Sequence, residues 1–88
     1  MKAFFEATEG QKQLAAIGRR MMDMSEYANC KGMKDEDFAL LNDMSHVGNM
    51  LTRVGTTFGV SLEDFTAEDM KLIVRFVQGE INIPQMEG

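Results

Sequence analysis

Apolar residues return along this chain at alternating steps of three and four: Leu14, Ile17, Met21, Met24 and Ala28, then Leu40, Met44, Val47, Leu51, Val54 and Phe58. A strand would alternate at every second residue, whereas this rhythm follows the 3.6-residue helical repeat and gathers the apolar side chains on one face. The only proline, Pro84, lies four residues from the end, so no earlier position removes a backbone donor from a helix.

Local signals bound these helices. Thr8-Glu-Gly-Gln11 has the spacing of a capping box, and Lys31-Gly32 supplies a cation and a left-handed stop for the first helix. Asp35, Glu36 and Asp37 place acids where a second helix begins with partial positive charge. Phe38 and Leu41 widen its stripe, and Gly55 and Gly59 interrupt it. Ser61 and Thr66 each precede an acid by three residues (Asp64, Asp69), which predicts a short turn at 62–65 and a third helix over 67–78 ended by Gly79. Its expected apolar face is Met70, Ile73, Val74 and Val77, and the alternating Glu80-Ile-Asn-Ile-Pro84 reads as extended.

The fold class expected is therefore all-α: a small three-helix bundle, or four helices counting the short turn. The first two helices form an antiparallel hairpin, the third crosses it, and residues 80–88 form an extended C-terminal tail on a single helical domain of residues 1–79. A homodimeric helical bundle is the architectural alternative, since heptad-like stripes also suit pairing between chains. Gly18 lies fourteen residues before Gly32 and Gly48 sixteen after it, so a hairpin sets the two nearly opposite each other. Each glycine costs about 1 kcal/mol of helix propensity relative to Ala, which a close backbone crossing would justify.

At 88 residues the chain suits one domain, with roughly 60–65% of its unfolded surface buried on folding. Nine Lys and Arg against fourteen Asp and Glu give a formal charge of −5, and neither half is basic. That balance argues against binding phosphate backbones directly and leaves basic partners open. Cys30 is alone, which fits a reducing compartment, and the N-terminal apolar run is too short for a signal peptide. No stretch reaches the length of a membrane span, so the expectation is a cytoplasmic protein with no membrane partner.

Chemical motifs are weak throughout. A helix-turn-helix can be laid on Val54, Gly55, Phe58, Gly59, Val60 and Phe65, but the would-be recognition helix, Leu62 to Asp69, carries four acids and no base. Phosphate rows would repel it. Asp35-Glu-Asp37 opens like a calcium loop, yet Leu40 and His46 stand where glycine and glutamate belong. Asp43 and His46 resemble half of a carboxylate-bridged di-iron site, without the second helix pair. Cys30, Met44, His46 and Met50 include soft ligands for Cu(I), but lack a tight spacing. Cys30 and His46 are the only Cys–His pair, and Gly55-x-x-x-Gly59 is not followed by Lys as a phosphate loop requires.

Surface chemistry remains. Arg19, Arg20, Met22, Glu26 and Tyr27 interleave residue types enriched at protein interfaces, and Met22 falls off the core stripe. Asp35, Glu36 and Asp37, with Glu63, Asp64, Glu68 and Asp69, form acidic patches suited to a basic partner. The sequence thus reads as a non-enzymatic protein-binding module without a cofactor. It would be a small acidic adaptor or inhibitor of a larger, basic, nucleic-acid-handling protein, with a divergent helix-turn-helix regulator and a Cu(I) binder as alternatives. Of its nine methionines, Met21, Met24, Met44 and Met70 are expected to pack in the core, and Met1, Met33 and Met86 are terminal or loop residues. Met22 and Met50 lie off the stripes, so their exposure decides whether the methionines mark a binding surface.

Overall fold

The computed structural model describes residues 8–54 and 59–86. Three α-helices, α1 (Glu9–Glu26), α2 (Asp35–Arg53) and α3 (Ala67–Val77), are joined by loops and a single 3-10 turn, Leu62–Asp64. The starts follow the anticipated caps. Thr8 Oγ1 accepts the Gln11 amide at 3.1 Å while Gln11 Oε1 accepts the Thr8 amide at 2.9 Å, closing the box at α1. Ser61 with Asp64 and Thr66 with Asp69 repeat the device at the 3-10 turn and at α3.

α1 and α2 form the antiparallel hairpin, and its backbone crossing is at the two glycines. A Cβ placed on Gly18 would stand 2.5 Å from the Gly48 carbonyl oxygen, and one on Gly48 would stand 2.7 Å from the Gly18 oxygen. Neither position has room for a side chain. With the helices this close, Met21 and Met44 become fully inaccessible at the centre of the core, with Val47 and Leu51 beside them. Ser25 Oγ ties the helices again by donating to the Leu41 carbonyl at 3.0 Å.

α3 and the C-terminal segment close the core. Leu72 and Ile73 of α3, Phe65 before it, and Ile81 and Ile83 after it are all buried against the hairpin. The segment after Gly79 is extended, as its Ile81-Asn82-Ile83 alternation implies, and runs back over the end of α1. There Asn29 N–H donates to Pro84 O at 2.7 Å, Met86 N–H to Tyr27 O at 2.8 Å, and the Gln85 amide to Met24 O at 3.0 Å.

Three sequence expectations need correction. α1 stops at Glu26 rather than running to Gly32, because the Tyr27 carbonyl and the Asn29 amide bond to the C-terminal segment instead; Ala28 is buried there in an isolated antiparallel bridge to Gln85. Gly32 does take a left-handed conformation (φ 78°), but in the interhelical turn. α2 stops at Arg53, so Val54 is buried from extended backbone bridged to Val60. The continuation of that stripe to Gly55 and Phe58 lies outside the described residues, as do Met1, Phe4 and Phe5. The third correction concerns which face of α3 is buried. No helix among the described residues is long and apolar enough to cross a membrane.

Candidate interaction surface

α3 has more apolar side chains than one face can hold. Leu72, Ile73 and Phe76 turn inward: the first two are buried and Phe76 packs on the core edge, its ring covered by the Arg20 guanidinium at 5.7 Å. Met70, Val74 and Val77, expected inside, are instead 47, 49 and 53% exposed. Only Ile73 of the anticipated face is buried. Two apolar arcs were available to this helix, and the one that meets α2 and the C-terminal isoleucines went inside.

The outer arc is a regular seam. Ala67, Met70, Val74 and Val77 are spaced three, four and three, so they line up along one side of the helix, and all four are exposed. Lys71 and Arg75 follow Met70 and Val74 by one residue, which sets both cations about 100° round the helix on the same flank. Lys71 Nζ lies 3.4 Å from a Glu68 carboxylate oxygen, and Arg75 forms no ion pair among the described residues. On that cationic side a shallow depression separates α3 from Leu40 and Asp43 of α2.

The residues that sequence reasoning assigned to partner binding lie on α1 and its end, the first turn of α2, the 3-10 turn and the first turn of α3. Arg19, Arg20 and Glu26 are exposed along α1, and Tyr27 is 55% exposed at its end. A shallow hollow beside Arg19 and Arg20 is lined wholly by α1 residues, so among the described residues it has no opposing wall. Met22 is half-buried, its Cγ within 2.8 Å of where a Gly48 Cβ would stand, and therefore serves as filling over the glycine crossing. Met50 is likewise half-buried against the core. Met21, Met24, Met33 and Met44 pack in or on that core, which leaves Met70 and Met86 as the exposed methionines among the described residues.

Much of the acidic character is spent locally. Asp37, Asp64 and Asp69 each accept the backbone amide three residues earlier, from Lys34 at 3.4 Å, Ser61 at 2.9 Å and Thr66 at 3.0 Å. Glu68 pairs with Lys71, while Asp35, Glu36 and Glu63 remain exposed without a side-chain bond among the described residues. Asp43, Glu68 and Asp69 share the depression with Lys71 and Arg75, so it has no single sign of charge.

Nor do the weaker motifs converge. Residues 62–69 are split between the 3-10 turn and the first turn of α3 rather than forming one recognition helix. Met44 is fully buried while His46 is exposed, so this sulfur and the imidazole face different environments. His46 lies eleven residues into α2, about 16 Å from its first residue, whereas the exposed Cys30 stands in the turn before it. Among the described residues no three His, Cys, Asp or Glu side chains cluster as a metal site would require.

The seam on α3 is what sequence reasoning missed, because each of its large residues also fits a core stripe. The available signal was surplus: Met70, Leu72, Ile73, Val74, Phe76 and Val77 are too many large apolar residues for one face of an eleven-residue helix. Comparison with family models, with curated proteins and with solved structures yields no match to this chain.

Proposed function

We propose that this chain is a non-enzymatic protein-binding module that docks on a larger protein through the outer face of α3. The observation that carries this reading is the exposed Met70–Val74–Val77 seam: three large apolar side chains in register, about half exposed, on a helix whose opposite face is already packed. Scattered apolar residues are normal on a protein surface, but an ordered row with a charged border is the form of a helix contact. Met70 adds an unbranched, polarizable side chain that adapts to a partner's contour. The reading keeps the adaptor or inhibitor role and moves the contact from α1 and the acidic patches to α3.

Site-specific photocrosslinking in a lysate of the source cells tests it. A photoreactive residue at position 74 is expected to give a discrete protein adduct that excess wild-type chain competes away and excess Val74→Glu chain does not. The same group at position 19 is expected to give none. A specific adduct at 19 with none at 74 would return the contact to the arginine–methionine face of α1, and no competed adduct at either position would end the proposal.

A further inference from the structure

We infer that the occupant of the α3 seam is an amphipathic helix of another protein, apolar along one side and acidic along the adjoining flank. The inference rests on the docking face proposed above and specifies its partner.

Backbone chemistry selects a helix. The N–H and C=O groups of α3 are used within the helix or in its caps, so the face has no ladder to offer an added strand. What it presents is side-chain relief at coiled-coil spacing: Ala67 and Val74 at a, Met70 and Val77 at d. A second helix lays its own ridge into that relief over the eleven residues from Ala67 to Val77, a rise of about 15 Å.

Charge selects the flank. One border of the seam is Ile73, buried in the chain's own core; the other carries Lys71 and Arg75, which share a shallow hollow beside Met70 and Val74 with Gln78 and Glu80. A second copy of this chain is a poor match. The two-fold axis of an antiparallel pair carries each flank onto itself, setting Lys71 beside Lys71. A parallel pair sets the cations against the border of Thr66 and Ile73, whose nearest acid, Asp69, is engaged in capping. Each copy also carries a formal −5. The seam of one eleven-residue helix is moreover far short of the ~800 Å² per partner that stable dimers bury. Acidic side chains on a foreign helix meet Lys71 and Arg75 with opposite charge.

Two synthetic helical peptides of about eighteen residues, long enough to hold helix in isolation, serve as probes. Their leucine seams are identical, with glutamates flanking one and lysines flanking the other. Fluorescence anisotropy at low salt is expected to show the glutamate peptide binding about tenfold or more tightly. The double variant Lys71→Glu/Arg75→Glu should reverse that preference, and Val74→Glu should abolish both interactions. These positions are exposed, and unchanged melting curves confirm that each variant is folded. Equal affinity for the two peptides, tighter binding of the lysine peptide, or binding of neither overturns the inference. So does a concentration-dependent dimer, seen by sedimentation, that Val74→Glu dissolves. If the position-74 adduct persists while the peptide preference fails, the docking face survives and only the partner's chemistry is wrong; if both fail, the face itself falls.

Discussion

Gly18 and Gly48 set how closely the hairpin packs. At Gly18 an added methyl would meet the Gly48 oxygen at 2.5 Å, Leu51 Cβ at 2.6 Å and the Thr52 nitrogen at 3.0 Å, two of them backbone atoms of a packed helix. Relief therefore requires the helices to separate, which loosens Met21, Met44, Val47 and Leu51 together. Gly10, also on α1, has nothing nearer than Thr8 Oγ1 at 3.9 Å. The same change to alanine thus has opposite signs at the two sites. Gly18→Ala is expected to destabilise by about 3 kcal/mol, as overpacking does, lowering the melting temperature by roughly 10 °C or more in a domain of this size. Gly10→Ala should raise stability by up to about 1 kcal/mol through helix propensity. Thermal melts by circular dichroism decide it, and a Gly18→Ala chain as stable as wild type would show that the crossing tolerates a side chain.

Among the elements, α3 separates the locally determined features from those set at a distance. Its start is local: Thr66 Oγ1 accepts the Asp69 amide at 3.1 Å and Asp69 returns the favour to Thr66. The acids therefore divide by role. Thr66→Ala, Asp64→Ala and Asp69→Ala should each cost about 1 kcal/mol in urea unfolding as caps are lost. Glu36→Ala and Glu63→Ala, which leave every described side-chain bond intact, should stay within about 0.5 kcal/mol. Equal costs across the set would mean that the carboxylates act by general charge and not by capping. Three-residue spacings of hydroxyl and acid made these starts readable in advance, as the glycine spacing did for the hairpin crossing. The orientation of α3 was not readable, because 70/73/74/77 and 72/73/76 are both helical faces. The choice is made by α2, by Arg20 over Phe76 and by isoleucines beyond the helix, none of which local periodicity reports. The candidate site was hidden for the same reason: Val74 is apolar and in register whether it faces the core or a partner.

At the scale of the whole molecule, the C-terminal segment completes a core that two helices leave open. Alternation in Glu80-Ile-Asn-Ile-Pro84 made its extended form legible, but its destination depends on contacts such as Gln85 to Met24, 61 residues apart, which also end α1 six residues short of Gly32. Ile81 and Ile83 are 5 and 9% exposed, and burying such a side chain contributes about 1.5–3 kcal/mol. Removing both therefore costs about 3–6 kcal/mol, a large part of the roughly 5–15 kcal/mol that separates folded from unfolded domains. A chain ending at Glu80 should then lose most of its cooperative melting transition, although all three helices lie within it. A chain ending at Pro84 keeps both isoleucines and the Asn29–Pro84 hydrogen bond, giving up, among the described residues, the contacts of Gln85 and Met86 with α1's end. It should melt cooperatively, about 1–2 kcal/mol less stable, the worth of one or two hydrogen bonds. Should the chain ending at Glu80 melt as sharply and as high as the one ending at Pro84, the helices alone would hold the fold and the isoleucines would only cover it.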